Sequence, residues 1–479
     1  MQYNTPVNLK ILKQGRCIMK LTERIIVSKH DEDLFTYFNG EGALAEPLYN
    51  AALFRIRQIF CGWDKKPEER YDLEKQVFAE VDKLHEVYPN VRVRRVISYT
   101  ALEKLMRVTA NPDFFAGLPM QTAQEVLKLA VRDFKSWLKA LKDYKQNPGK
   151  YLGRPKMPKY KTAPVIGFTF TNQDCVLYKD DAGRTYMKFP KTDARLYVTQ
   201  LYTRMDVREV TVEPYYGKFK VGIVIEWHME PYYLDSPDFP NMAGVDFGVG
   251  NIVALACTDQ TSAVFKGGAI KSENQMFAKS RAHGVSEITK GTQYKYATSA
   301  HLQRLSLHHD CFLNDQLHKI SMEIIRYCVA HKVSILVLGV NKLWKQKTDM
   351  LRKNNQNFVA MPHARLRWLI EYKALKAGIK VLEQEESYTS RSDITANDPI
   401  PVYGEKGADK VQFSGRRTKR GQYKCHNGLI INADCNGAAN ILRKAIPTAW
   451  SKVTDFTFLG RPASYDFNRL NPRYKLHVA

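Results

Sequence analysis

The alternation of apolar and polar positions changes character three times along the chain. Residues 20–30, "KLTERIIVSKH", read as one strand. Residues 33–147 then read as helices. The clearest runs from Gln121 to Lys145, where Ala123, Val126, Ala130, Phe134, Trp137 and Leu141 recur at three and four and basic residues fill the other face. "NPGKYLGRPKMPKYK", Asn147 to Lys161, stops that helix and reads as a basic linker. Residues 165–230 turn to strand patterns, such as "VIGFTFTN" and "KFKVGIVIEW", and predict a small barrel or twisted sheet. "LDSPDFPN", Leu234 to Asn241, marks a boundary. Beyond it strands alternate with helices to about residue 445. "GVDFG", "NIVALAC" and "SAVFKGG" predict three strands, and 284–330 a long basic helical region. The apolar run Val333 to Asn341 predicts a buried parallel strand. A helix over 362–377, a strand from Ile379 to about Glu385 and a small-residue helix in "INADCNGAANILRKAI" complete the series. The tail 446–479 shows little periodicity.

Three short strands in a meander followed by strand–helix–strand is the order of an RNase H-like domain, so the chain reads as multidomain α/β. In that fold two divalent ions cut a phosphodiester. Such ions need hard oxygen ligands, and carboxylates converge at the carboxyl ends of adjacent strands. Asp246 ends the first strand beside a glycine turn. Asp434 precedes a helix whose Gly and Ala residues permit close packing on the sheet. Taken singly, Asp246 reads as a turn cap and Asp434 as a helix N-cap. Together, in this order, they point to a metal site.

Charge narrows the partner. With 73 Lys+Arg against 49 Asp+Glu the chain carries +24, which suits a polyanion such as nucleic acid. No run of 18 apolar residues suggests a membrane span. The first residues lack the apolar core of a signal peptide; 1–19 reads as a leader, with Met19 an alternative start. The eight cysteines form no C-x-x-C pair, which fits a reducing cytoplasm and mostly buried thiols.

"GVDFGVGNIVAL", "LHKISMEIIRYC", "GVNKLWKQ", "NNQNFVAMPHARL", "EESYTS" and "NADCNGAANILRKA" occur in that order, after "LPMQTAQEVLKLAVRDF" and "GRPKMPKYK". This series, over roughly residues 20–445, resembles the transposon-encoded TnpB nucleases, relatives of the miniature type V CRISPR effectors. The resemblance implies a wedge β-barrel over 20–237 with an inserted helical recognition domain over about 33–147. It implies a RuvC nuclease domain over 238–445, with a target-loading loop at about 387–432. The implied activity is RNA-guided cleavage of double-stranded DNA beside a short flanking motif, by two Mg2+ ions (Mn2+ as a substitute), with guide RNA and target DNA as partners in a prokaryotic cytoplasm. A nuclease-dead, RNA-guided repressor is the alternative, and a DNA-strand-transfer enzyme with the same metal site a third reading.

Two departures from the family stand out. Its usual Glu after the apolar strand is missing, because "VLGVNKLWKQ" carries Gly339 there. Glu386 is the preferred replacement, Glu385 the next and Glu383 a third. Glu385 and Glu386 should point to opposite faces, so only one is expected to join Asp246 and Asp434 as metal ligand. The family's two cysteine pairs are also missing. Ser392 stands where a first ligand belongs, and Cys425, His426 and Cys435 do not make a four-ligand site, so no structural zinc is expected. Candidate nucleic-acid contacts are Arg154, Lys156, Lys159, Lys161, Lys342, Trp344, Lys345, Gln346, Arg416, Arg417, Lys419 and Arg420.

Overall fold

In a computed structural model the chain divides into two compact units, one of residues 18–228 and one of residues 229–479 with 1–17. The structure describes residues 10–11, 17–198, 206–229, 238–294, 297–341, 360–405 and 407–467.

The first unit opens with strand β1 (Cys17–Val27), followed by helices α1 (Glu32–Gly62), α2 (Asp72–Val87), α3 (Tyr99–Val108) and α4 (Met120–Gln146). Helix α4 buries Ala123, Val126, Ala130 and Phe134, four of the positions that its periodicity marks. It packs on α1, where Phe60 meets the rings of Phe134 and Trp137 edge-on. Asn147 caps the helix, and Pro148 after it cannot continue it. Strands β2 (Phe168–Thr171), β3 (Val176–Lys179), β4 (Thr185–Lys188), β5 (Arg195–Tyr197), β6 (Asp206–Tyr215) and β7 (Lys218–Met229) come next. Within one sheet the neighbours run β1–β7–β6–β2, so the four helices are inserted between two strands of the same sheet. Where a small barrel or twisted sheet was expected, the described strands divide between two sheets, and β3–β4–β5 make the second. A turn, closed by the Asp174 N–H on the Thr171 carbonyl, ends β2 after four residues and carries the chain out of the first sheet.

The second unit is built on a six-stranded sheet. Strands β8 (Asn241–Phe247), β9 (Asn251–Cys257) and β10 (Thr261–Lys266) form an antiparallel meander. The expected helical region at 284–330 is two helices, α5 (Gly268–Thr289) and α6 (Ala300–Ala330), parted near Gly291, which has a positive φ of 75°. Strand β11 (Val333–Val340) runs parallel to β8, and β12 (Lys380–Glu385), reached through α7 (His363–Lys376), runs parallel to β11. Short strands β13 (Arg416–Lys419), β14 (Gln422–Lys424) and β15 (Ile430–Asn432) lead into α8 (Ala433–Ala445). One apolar core joins the sheet to α6 and α7, and another joins it to α8. The tail supplies β16 (Ala463–Tyr465), which adds parallel to β10 and completes the order β12–β11–β8–β9–β10–β16. Trp450, Leu459 and Phe467 are buried in these cores, so residues 446–467 are part of this unit's fold.

Candidate active site

Asp246 stands one residue before the end of β8. Gly244, two residues earlier on the same face, leaves the strand bare: a Cβ there would lie 2.1 Å from the Ala438 carbonyl of α8. The helix therefore rests on strand backbone. Asp246 Oδ2 lies against Gly437, where a Cβ would come within 2.7 Å of it. The small residues of "DCNGAAN" are what allow the helix and the carboxylate to share this space.

Glu386 follows the last residue of β12, and its N–H donates to the Val340 carbonyl at 3.3 Å. Its side chain lies over Gly339 on β11. A Cβ at 339 would stand 3.0 Å from Glu386 Oε2, 2.6 Å from Ile441 Cδ1 and 3.1 Å from the Val245 carbonyl. Glu386 thus occupies room left by the absent side chain, next to the strand that bears Asp246. Glu385 turns instead to α8, where its Oε2 accepts from Lys444 Nζ at 2.7 Å. Glu383 is half-exposed and lies 3.5 Å from Arg367.

Asp434 sits in the first turn of α8 but does not cap it. Asn432 does, its Oδ1 accepting the N–H groups of Asp434 and Cys435 at 2.9 and 3.2 Å. The Asp434 carboxylate is free of that duty and faces β9. Its Oδ2 accepts from Asn251 Nδ2 at 2.8 Å and its Oδ1 from Arg417 Nη2 at 3.0 Å. Lys266 in turn donates to Asn251 Oδ1 at 3.2 Å.

The electrostatics tie these acids together. Asp246 keeps a little surface, yet its carboxyl sits deep among protein atoms. Burial first, then the charges of Glu386 and Asp434, hold it well above the usual carboxylate range, and Arg417 offsets only part of this. Burial lifts Glu386 to about 7, with the Glu385 charge adding to it. Glu385 itself is pushed up by burial but lowered by more through its bonds from Lys444 and Ser387.

Three converging carboxylates, two of them held toward the neutral form, suit a hard divalent cation in chemistry. The described side chains do not close around one: no group of three such ligands stands close enough to hold an ion. Arg417 takes the place of a cation at Asp434. A cavity of about 830 Å3 opens beside Asp434, lined by Gly248, Asn251, Lys266, Arg417 and Arg420 among others.

The loop between β12 and α8 is held by a buried polar network. Asp393, with no exposed surface, accepts from Thr395 at 2.7 Å and from the His426 N–H at 2.7 Å. Asp398 accepts from the Asp393 N–H at 3.0 Å and from Ser414 Oγ at 2.6 Å. Ser392, Asn436, Asn440 and Arg443 anchor the same turn to α8.

Arg416, Lys419 and Arg420 are exposed around the hairpin, and Arg154, Lys156, Lys159 and Lys161 are exposed on the linker after α4. That linker is pinned by Trp137, which donates to the Pro155 carbonyl, and by Asn50, which brackets Lys161. Lys342, Trp344, Lys345 and Gln346 lie outside the described residues. Asn251 and Lys444 escaped the sequence reading. An Asn opening a strand just after a glycine turn was the available signal for the first. The second had none, because its partners are 43 to 59 residues away.

Two family models match this unit. One, described as a probable transposase (OrfB_IS605), covers residues 231–345 and includes Asp246. The other, the Cas12f1-like TNB domain, covers residues 363–441 and includes Glu386 and Asp434. Over these residues the chain is similar to the TnpB and miniature type V families. Over 255 residues it is 25% identical to the TnpB-like protein ORF457 of Acidianus two-tailed virus, matching 52% of this chain and 50% of that one. Over 137 residues it is 30% identical to the CRISPR-associated endodeoxyribonuclease Cas12f2 of Micrarchaeota archaeon (strain CG1_02_47_40), matching 27% of this chain and 23% of that one. The chain thus spans half the length or less of these curated relatives. Among solved structures, a Cas12f1–sgRNA–target DNA complex aligns over 86% of this chain and 82% of that chain, at 14% identity and a TM-score of 0.46. C2c1 of Alicyclobacillus acidoterrestris with single-guide RNA aligns over 82% and 65%, at 11% identity and a TM-score of 0.35.

Proposed function

We propose that the chain is an RNA-guided endonuclease that cuts double-stranded DNA beside a short flanking motif. Asp246, Glu386 and Asp434 would hold two divalent ions, Mg2+ or Mn2+ in its place. The observation that carries this reading is the position of Glu386 over side-chain-free Gly339, next to the Asp246 strand. A family member that has lost one acid and gained another at the same spot retains the ligand set for hydrolysis. Ions bound there would generate hydroxide from water and stabilise the departing oxygen. Asn251 orients Asp434, and Arg417 exchanges Asp434 for a phosphate oxygen of the strand being cut. Lys266, Lys419 and Arg420 are positioned to receive neighbouring phosphates. Glu385 is not a ligand in this reading. Base pairing with the guide supplies sequence, and the basic surface supplies backbone affinity. The polar network around Asp393 and Asp398 stands in for the zinc of relatives, so no structural zinc is needed.

The repressor reading draws on the Arg417–Asp434 ion pair, which occupies one of the three acids. Purification of the chain, sequencing of the RNA that accompanies it, and incubation with a matching duplex and Mg2+ separate the two. We expect bound RNA, released steeply with salt, and Mg2+-dependent cutting. Guided binding without cutting favours the repressor, and no RNA above vector background removes both.

A further inference from the structure

We propose that Lys444 is a positioning residue for the carboxylate of Glu386, acting through Glu385. This rests on the nuclease reading above, which makes Glu386 a metal ligand. Lys444 Nζ donates to Glu385 Oε2 at 2.7 Å, to the Pro401 carbonyl at 2.9 Å and to the Ser387 carbonyl at 3.1 Å. Three acceptors match the three protons of an ammonium. The Lys444 side chain is only 8% exposed, so the charge is buried and its partners are not interchangeable with water. The other oxygen of Glu385 accepts the Ser387 N–H at 2.7 Å. One lysine therefore grips the residues on both sides of Glu386.

The backbone of Glu386 is fixed as well. Its N–H donates to Val340, and its carbonyl accepts from Thr389 Oγ1 at 2.8 Å. With the neighbours clamped and the backbone bonded, the side chain is directed into the room over Gly339. The clamp is mounted on α8, the helix that also carries Asp434 and the Gly437 seat of Asp246. A single element thereby sets the spacing of all three acids. Loss of Lys444 leaves Glu385 without its counter-charge, one residue from the ligand, and frees the strand end to move against the helix. Partners that orient a metal ligand in this way are worth about 10- to 100-fold in metal affinity or activity.

The test uses the full-length wild type with Glu385→Gln, Lys444→Met, Lys444→Arg and Glu386→Gln. Three quantities are read: Mn2+ affinity of the guide-free chain by electron paramagnetic resonance, the Mg2+ concentration that half-saturates single-turnover cleavage by the guided complex, and the thermal midpoint. We expect Lys444→Met and Glu385→Gln each to weaken both metal constants by about tenfold or more. Lys444→Arg, which keeps the charge, recovers most of the loss. If Lys444→Met does not fold, Glu385→Gln, which keeps the shape, decides alone. A lowered midpoint with both metal constants unchanged makes the clamp a structural staple and overturns the proposal. If Glu386→Gln loses Mn2+ while Glu385→Gln and Lys444→Met bind it as wild type does, the positioning role alone fails. If Glu386→Gln binds Mn2+ as tightly as wild type, the metal-site reading fails and the proposal with it.

Discussion

Gly339 and Glu386 share one space: the residue on β11 has no side chain, and the carboxylate from the end of β12 fills the room. The loss of an acid at 339 is legible in the sequence, and so is the presence of acids on the next strand. The choice between Glu385 and Glu386 is not, because it turns on Lys444, 59 residues beyond Glu385. The burial of Glu386 has a consequence for pH. Its pKa in the fold is about 7 against an ordinary 4.5, so the folded chain favours the protonated form. That preference contributes stability in full below about 4.5 and loses it as pH rises through about 7. Asp246, also raised, acts in the same direction. In metal-free buffer, chemical denaturation of the wild type should give a stability that falls from about pH 5 to about pH 7.5. Glu386→Gln should flatten that fall. Parallel pH curves for the two proteins would show that Glu386 titrates as an ordinary surface acid.

Among the elements, β8 and α8 approach closely, strand backbone against helix backbone at Gly244 and Ala438. Gly244→Ala inserts a methyl group 2.1 Å from a carbonyl oxygen, so the helix must lift. We expect a loss of about 1–3 kcal/mol or more in thermal or denaturant unfolding, typical of an overfilled core. Because α8 carries Asp434, the lifted helix should also weaken Mn2+ binding. A variant as stable as wild type would mean that α8 does not rest on β8. Helix α4 was legible from its period and the parallel strand β11 from its unbroken apolar run. The break near Gly291 and the three-residue strand β16 were not: a strand of that length has no period, and it is defined only by pairing with β10. The division of the strands over 165–230 between two sheets was not legible for a similar reason, because alternation marks strands but not which strands pair.

For the whole molecule, a charge of +24 suits a polyanionic partner, and nothing in that number says which. The basic linker at 154–161 and the basic hairpin at 416–420 present exposed cations in each unit. Guidance by RNA is proposed from similarity to the relatives, and the acids alone would serve any metal-dependent phosphodiester chemistry. The decisive comparison is therefore single-turnover cleavage and equilibrium binding of a guide-matched duplex in Mg2+, by the wild type and by Asp246→Ala, Glu386→Gln and Asp434→Ala. We expect the wild type to cut and each variant to lose on the order of a thousandfold or more in rate, several kcal/mol of transition-state stabilisation, while guided binding stays nearly intact. Cutting by Glu386→Gln at the wild-type rate, or a wild type that binds its target in Mg2+ and never cuts, would contradict this expectation.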